Sequence, residues 1–218
     1  MNSIRVVSDL VCPWCYVGKR RLEEALQSLP PREARFVSWH PFQLNPALAP
    51  EGMDRKEYCI QKFGSWAHCE EMFERISQIG KTVGLDFRFD LQRRIPNTLD
   101  SHRLIWFAGE ADVQDAVVEG LFRAYFCEGV DLSKRGNLLE VAVDSGLERA
   151  EVEQLLGSDR GLAEVKAQEQ EVKDLGVSSV PLFILRNCVA VSGAQPPEVL
   201  LDGWRQAREM QERPTPKT

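Results

Sequence analysis

Residues 8–19 read SDLVCPWCYVGK, so two cysteines, Cys12 and Cys15, are separated by a Pro-Trp pair. Residues 4–7 are rich in β-branched side chains, which predicts a short buried strand. Downstream, leucine or alanine stands at positions 22, 25, 26 and 29, the i, i+3, i+4, i+7 spacing of an amphipathic helix. The Cys-x-x-Cys pair is therefore predicted to lie where a strand passes into a helix, with Pro13 in the first helical turn.

This position gives the two cysteines distinct chemical roles. The first turn of a helix offers unpaired N–H groups and the positive end of the helix dipole, and both favour a thiolate over a thiol. A lowered pKa turns a thiol into a nucleophile at neutral pH. We expect Cys12 to be the attacking sulfur. Cys15, one turn further along on the same face, is expected to form and open a disulfide with it.

A zinc site is the main alternative interpretation of the Cys-x-x-Cys pair. Structural zinc requires four ligands, usually from a second closely spaced pair of cysteines or histidines. The three histidines, His40, His68 and His102, are widely scattered, and no second pair has ligand spacing. The redox interpretation is therefore favoured, with no metal and no organic cofactor.

Four segments resemble one protein family in the same order along the chain. Residues 12–20, CPWCYVGKR, resemble the active-site segment of the FrnE-like branch of the DsbA family, within the thioredoxin superfamily. The segments NTLDSHRL at 97–104, GVSSVPLF at 176–183 and SGAQP at 192–196 are similar to the same branch. The resemblance implies an α/β fold, DsbA-like, in which a thioredoxin-like core carries an inserted all-helical domain.

Periodicity along the chain is consistent with that layout. Residues 1–49 predict strand, helix and a second strand over 34–42, and residues 156–212 predict helix, a two-stranded hairpin and a final helix. Together they would form the core. Residues 50–155 read as the helical insertion, and 85–90 as an extended connector within it. Residues 213–218 are predicted to be a flexible tail.

The resemblance also nominates substrate-binding residues. It implies a cis bond between Val180 and Pro181, which would turn the backbone of Val180 toward a peptide or thiol substrate. Asn97 belongs to the family's second signature, whose helix is expected to border the cleft, although helix capping explains it equally well. Trp14 is a candidate contact for substrate, or a side chain that packs over the helix start. The best-known DsbA proteins have histidine there, so we expect a weaker oxidant, because an indole supplies no positive charge.

Several polar and thiol residues outside the motif have ordinary interpretations. Asp9 could assist proton transfer to Cys15, although a turn or cap role is the favoured one. Four further cysteines, Cys59, Cys69, Cys127 and Cys188, are interpreted as small buried hydrophobes or idle thiols. On one straight helix Cys59 and Cys69 would be roughly 15 Å apart, so a disulfide between them would need a break such as Gly64.

Composition limits the class of protein. The chain has 218 residues, 43% hydrophobic and 28% charged, with a net charge of −6. These values are typical of a globular protein and argue against a nucleic-acid partner. No apolar run reaches transmembrane length, which argues against a membrane partner, and the first residues lack the pattern of a signal peptide. A cytoplasmic location is the resulting expectation.

The leading functional hypothesis is a thiol–disulfide oxidoreductase acting on a disulfide- or dithiol-containing protein or small molecule, with glutathione among the candidates. The second is a glutathione-dependent isomerase or transferase of the kappa-like or hydroxychromene-carboxylate isomerase type. Those enzymes generally carry serine where Cys12 stands and lack the second cysteine. A third hypothesis is a non-enzymatic holdase with an apolar cleft. A homodimer is left open.

Overall fold

The computed structural model describes residues 3–30 and 36–212. Its elements in chain order are β1 Ser3–Ser8, α1 Pro13–Gln27, β2 Phe36–Pro41, β3 Met53–Asp54, α2 Arg55–Phe63, α3 Trp66–Thr82, β4 Arg94–Ile95, α4 Leu99–Glu110, α5 Gln114–Phe126, α6 Arg135–Asp144, α7 Arg149–Leu156, α8 Leu162–Asp174, β5 Leu182–Leu185, β6 Val189–Ser192 and α9 Pro197–Glu212. Within these ranges, no helix combines the length and the apolar character needed to cross a bilayer.

The central sheet has four strands in the order β2-β1-β5-β6. β1 pairs parallel with β2 and antiparallel with β5, and β5 pairs antiparallel with β6. Val6 lies opposite Trp39 on one side and Phe183 on the other, and all three are buried. A strand flanked on both sides explains why Ile4, Val6 and Val7 are apolar and buried, whereas Arg5 between them is only partly buried. The predicted α/β, thioredoxin-like core with a helical insertion is confirmed.

The predicted all-helical insertion differs from the structure in one detail, and two other predicted segments extend beyond the described residues. The second strand spans Phe36–Pro41, and the first predicted positions, 34 and 35, lie outside the described residues, as does the predicted tail at 213–218. The predicted all-helical insertion also contains one antiparallel pair, β3 with β4. Helix α6 begins only at Arg135, because the Asp131 carboxylate accepts the Ser133 backbone N–H at 3.0 Å and closes a turn before it.

The hydrophobic core runs without interruption from the sheet side of α1 into the insertion. Tyr16 of α1 stacks on Phe122 of α5 with ring centroids 5.0 Å apart, and both side chains are fully buried. Such aromatic pairs contribute about 0.5–1.5 kcal/mol beyond the burial of their area. The proposed boundaries at residues 49/50 and 155/156 stay a prediction, since the two parts share this core.

A buried lysine also joins α1 to α5. The Nζ of Lys19 lies 3.0 Å from Glu119 and 3.2 Å from Asp115, and it also contacts Glu23. Burial alone would lower the pKa of Lys19, but the three carboxylates outweigh it and raise the pKa. The ammonium therefore stays charged and fixes α1, with its cysteines, against the insertion.

Candidate active site

Cys12 lies at the junction of β1 and α1, as predicted. It is the N-cap residue of α1, with φ −94° and ψ 107°, and Pro13 occupies the first helical turn. The Cys12 backbone N–H donates to the Asp9 carbonyl at 3.1 Å, which closes a turn between strand and helix. The Cys12 carbonyl accepts the Cys15 N–H at 3.0 Å. No acidic side chain stands in the first turn of α1 to oppose a thiolate there.

The two thiols are shifted in opposite directions. The hydrogen bond from the Cys15 thiol lowers the pKa of Cys12 most strongly, and the backbone N–H groups of Cys15 and Trp14 add to it. Burial and the negative charge of Asp9 act in the opposite direction on Cys12. Burial raises the pKa of Cys15 well above its ordinary value, and Cys12 and Asp9 raise it further. Cys12 is therefore the more acidic of the two thiols, and Cys15 is the one that keeps its proton more strongly.

The bond between Val180 and Pro181 is cis, as the resemblance implied. It lies just before β5, next to the start of α1. The Cys12 thiol donates to the Val180 carbonyl oxygen with an S···O distance of 3.7 Å. The Pro181 carbonyl accepts the Gly193 N–H at 2.8 Å, which holds the segment against the turn after β6.

Gly18 was missed as a site residue, yet it sets the approach of α1 to this proline. A Cβ at position 18 would stand 3.0 Å from Cζ of Phe183 and 3.1 Å from Cγ of Pro181, closer than ordinary contact. A glycine inside a helix costs about 1 kcal/mol relative to alanine, and a close approach of another element is the usual reason for it. An unfavourable glycine inside a predicted helix was therefore the sign in the sequence that another element approaches α1 at this position.

A buried polar pair lies beneath the cysteines. Asp9 and His102 are both buried, with Asp9 Oδ1 3.4 Å from His102 Nε2. In the described part of the chain, neither of these two atoms has a hydrogen-bond partner. The other oxygen of Asp9 accepts the Leu44 backbone N–H at 2.7 Å. The Asp9 side chain therefore fixes a loop 35 positions away and not a local turn or helix cap, while one oxygen remains available to a proton.

An apolar cleft of about 260 Å³ opens beside Cys12. Trp14, 37% exposed, stands among its lining residues. Most of the lining is apolar, and the polar members are few. The lining residues are Val11, Cys12, Pro13, Trp14, Leu44, Arg55, Tyr58, Cys59, Lys62, Phe63, Met72, Phe73, Ile76, Phe89, Gln92, Ile95, Tyr125 and Phe126. The cleft thus combines a reactive sulfur with walls suited to an apolar partner.

Asn97 lines a different depression and not the cleft beside Cys12. Its side-chain oxygen accepts the Leu99 N–H at 2.9 Å at the start of α4, and also a hydrogen bond from Gln43 at 3.3 Å. Its amide donates to the Leu48 carbonyl at 2.6 Å. The structure thus brings Cys12, Cys15, Trp14, Val180 and Pro181 together, while Asn97 shapes the loop of residues 43–48 that supplies Leu44 to the cleft.

The remaining cysteines fall into two groups. Cys127 is half-buried and Cys188 is exposed, whereas Cys59 and Cys69 are buried and lie side by side. The break at Gly64 does occur between the latter two. Over residues 3–30 and 36–212, no three His, Cys, Asp or Glu side chains are grouped so as to hold a metal ion.

Comparison with known proteins agrees with this arrangement. Residues 3–203 match the family model of the DSBA-like thioredoxin domain. The crystal structure of a probable DsbA oxidoreductase from Streptomyces coelicolor is 32% identical, with a TM-score of 0.90 over 100% of this chain and 94% of that one. The uncharacterised protein YwbO of Bacillus subtilis is 26% identical over 197 residues, 88% of this chain and 90% of its own.

A more distant structure, the cytosolic disulfide reductase DsbM of Pseudomonas aeruginosa, shares the fold. Its TM-score is 0.63 at 18% identity, over 96% of this chain and 98% of that one. The family match covers nearly the whole of the chain, from β1 into α9, and includes both cysteines and the cis proline. The chain therefore belongs to the family of DSBA-like thioredoxin domains.

Proposed function

We propose that this chain is a thiol–disulfide oxidoreductase that works through Cys12 and Cys15. Family membership supports an enzyme of the oxidoreductase or isomerase type. The observation that carries the narrower proposal is the paired shift of the two thiols, with the Cys15 thiol donating to Cys12 and lowering its pKa. One nucleophile and one protonated resolving group are what disulfide exchange requires.

In the proposed reaction, the Cys12 thiolate attacks one sulfur of a substrate disulfide. The substrate S–S bond breaks, one substrate thiolate leaves, and a mixed disulfide forms on Cys12. Cys15 then loses its proton and attacks the Cys12 sulfur, which expels the second substrate thiolate. The two cysteines end as a disulfide, and the two electrons and two protons end on the substrate thiols. The reverse sequence oxidises a dithiol.

Deprotonation of Cys15 needs a proton acceptor in a closed environment, because its side chain is fully buried. Asp9 supports this role, since it is buried, its charge acts on both thiols, and one of its oxygens has no hydrogen-bond partner within the described residues. His102, 3.4 Å away, is placed to stabilise the carboxylate. We therefore assign Asp9 the transfer of the Cys15 proton.

Substrate is proposed to lie across Val180 and into the apolar cleft. The Val180 carbonyl already accepts a hydrogen bond from Cys12, and backbone groups at such a segment pair with an extended peptide. Trp14 would contact the residues beside the substrate sulfur. Asn97 enters the proposal as a positioning residue, because it holds the loop that carries Leu44. Disulfide- or dithiol-containing proteins and small molecules, glutathione included, fit this description.

The glutathione-dependent isomerase or transferase is the alternative. The structure of a hydroxychromene-carboxylate isomerase is similar to this chain, with a TM-score of 0.67 and 15% identity. At that identity the similarity supports a common fold but no common activity. Such a reaction would leave Cys15 without a role, which favours the redox proposal. Assignment to the FrnE-like branch, a cytoplasmic location and operation without a metal or organic cofactor complete the proposal.

A redox titration in glutathione buffers, followed by turnover of a disulfide-bonded peptide, tests the proposal. We expect Cys12 and Cys15 to titrate as one two-electron couple. A potential near the cytosolic poise, about −220 to −320 mV, would indicate a reductase or isomerase, and a more positive one an oxidant. Cys12→Ser should abolish turnover, whereas the exposed Cys188→Ser serves as a matched control that retains it. Turnover by Cys12→Ser would refute the proposal.

A further inference from the structure

A helical break brings a second pair of cysteines into contact. Helix α2 ends at Gly64, whose φ is +94°, and the Ser65 side chain then caps α3 by accepting the His68 N–H at 3.2 Å. The two helices pack against each other, so Cys59 and Cys69 face one another. The Cys69 thiol donates to the Cys59 carbonyl oxygen at 3.5 Å, and the two thiols also interact by a hydrogen bond.

This pair is shielded from bulk solvent but borders the cleft of the active site. Cys59 is 2% exposed and Cys69 fully buried, yet Cys59 is one of the residues that line the cleft beside Cys12. A small molecule inside the cleft would therefore contact α2 on the face that carries Cys59. Cys69, in contact with Cys59, is not itself among the lining residues of the cleft.

A buried positive charge lies one turn from Cys59 on the same helix. The guanidinium of Arg55 stacks on Phe73 at 4.0 Å from the ring centroid and donates to the Phe89 carbonyl. In the described ranges, no carboxylate lies within ion-pair distance of it. Its charge instead favours the thiolate form of Cys59. Burial outweighs this charge, so the pKa of Cys59 is raised overall.

We propose that Cys59 and Cys69 form a second redox-active pair, which closes into a disulfide when a small organic disulfide enters the cleft. The Cys59 thiolate attacks one sulfur of that molecule, breaks its S–S bond and releases one thiolate. Cys69 then attacks the Cys59 sulfur and releases the second. Two electrons pass from the protein to the small molecule, and the two thiol protons go to the released thiolates. Neither Cys12 nor Cys15 takes part.

The protonation of Cys59 gives this reaction a distinctive pH dependence. Burial raises the pKa of Cys59 to about 11, although Arg55 opposes the shift. Since the thiolate is the nucleophile, the rate should rise about tenfold for each pH unit between 7 and 9. The rate at Cys12, whose pKa is lowered, should respond to pH at lower values than the rate at Cys59. The two pairs can therefore be distinguished in one sample.

The experiment uses the full-length Cys12→Ser/Cys15→Ser protein and 2-hydroxyethyl disulfide. Peptide mapping without reduction should find a Cys59–Cys69 crosslink that forms faster at higher pH and is reversed by dithiothreitol. In the same background, Cys69→Ser should trap the hydroxyethyl adduct on Cys59, whereas Cys59→Ser should leave Cys69 unmodified. Circular dichroism confirms that each variant is folded, and mapping of the wild-type chain gives the same crosslink without any substitution.

Three outcomes would overturn the proposal. Free thiols at both positions under these conditions would mean that the pair is inert. Separate adducts on Cys59 and Cys69 without a crosslink would mean that the sulfurs do not meet. A crosslink that requires Cys12 would mean that the active-site pair, and not the small disulfide, is the oxidant. The first two outcomes are measured in the Cys12→Ser/Cys15→Ser protein, so they do not depend on whether Cys12 and Cys15 turn over substrate.

Discussion

The thiol of Cys12 donates to the carbonyl oxygen of Val180 across 3.7 Å, although the two residues are 168 positions apart in the chain. This contact joins the start of α1 to the segment that precedes β5. Ionisation of Cys12 to the thiolate, or its oxidation, removes the only proton that the thiol can donate. The Val180 carbonyl is then free to accept another hydrogen bond. In the proposed mechanism, the state of the Cys12 sulfur therefore decides whether a bound peptide can pair with this oxygen atom.

The division of labour between the two cysteines gives the first prediction. A Cys15→Ser protein should attack a disulfide-bonded peptide and accumulate the mixed disulfide on Cys12, because the resolving thiol is missing. A Cys12→Ser protein should form no adduct on Cys15, which is fully buried and has a raised pKa. Mass spectrometry locates the adduct. Equal trapping on Cys12 and Cys15 would mean that the nucleophile is misassigned.

The hydrogen bond from Cys15 predicts a second result, on the pKa of Cys12. Cys15→Ala removes the donor that lowers that pKa most, so the pKa should rise toward the ordinary value of a thiol. Cys15→Ser keeps a hydroxyl donor and should retain most of the lowering. Thiolate absorbance near 240 nm, roughly, follows the titration. An unchanged pKa in Cys15→Ala would leave the backbone N–H groups as the dominant cause.

Asp9 gives a third prediction. Its negative charge raises the pKa of both Cys12 and Cys15. Asp9→Asn retains an oxygen for the Leu44 N–H, so the loop should persist while the charge is lost. We expect the pKa of Cys12 to fall, and release of the mixed disulfide by Cys15 to slow because the proton acceptor is gone. Rapid-quench measurement of the two steps tests this, and faster release would contradict the assigned role.

Packing at Gly18 gives a fourth prediction. Gly18→Ala places a Cβ about 3 Å from Phe183 and Pro181, inside a packed core, and should destabilise the fold by roughly 1–3 kcal/mol. Gly136→Ala, in α6, is the matched control, because a Cβ there meets no atom within 4 Å. That control should be neutral or gain up to about 1 kcal/mol in stability. Urea denaturation compares them. Equal midpoints would mean that α1 can move aside without cost.

The side chain between the cysteines gives a fifth prediction. Trp14→His places an ionisable imidazole near the Cys12 thiolate and should stabilise the reduced form. The reduction potential should become more positive, on the order of 30 mV for each tenfold change in the equilibrium constant with glutathione. Because Trp14 is 37% exposed, the fold should tolerate the change, and Trp14→Phe controls for loss of the indole. An unchanged reduction potential in Trp14→His would mean that the side chain at position 14 does not affect the stability of the Cys12 thiolate.

Local sequence signals predicted the parts of the site that depend on neighbours in the chain. The β-branched run before Cys12 and the apolar stripe after it were enough to place β1 and α1. The contact between Asp9 and His102 could not be predicted in this way, because the residues lie 93 positions apart in the printed numbering and neither belongs to a spacing pattern. The cis bond before Pro181 was predicted from the resemblance to a known family, because periodicity carries no information about the isomer of a peptide bond.

Two positions show why the remainder was missed. The proximity of Cys59 and Cys69 depends on the angle between α2 and α3. From the sequence, Gly64 could be identified as a possible break between the two helices, but the angle between them could not be predicted. Asn97 was expected at the cleft because its helix borders it, but its side chain points into hydrogen bonds with residues 43–48. Side-chain direction at the end of a helix depends on tertiary partners that sequence periodicity does not contain.

The stacking of Tyr16 on Phe122, together with the ion pairs of Lys19, has a practical consequence for protein engineering. A shortened chain in which residues 50–155 are replaced by a brief linker would keep the four strands and both cysteines. It would also leave an aromatic ring of α1 facing water without its stacking partner, and the Lys19 ammonium without two of its three carboxylates. Such a minimised oxidoreductase would aggregate unless that face of α1 were redesigned, so polar replacements at Tyr16 and its buried neighbours should accompany any truncation.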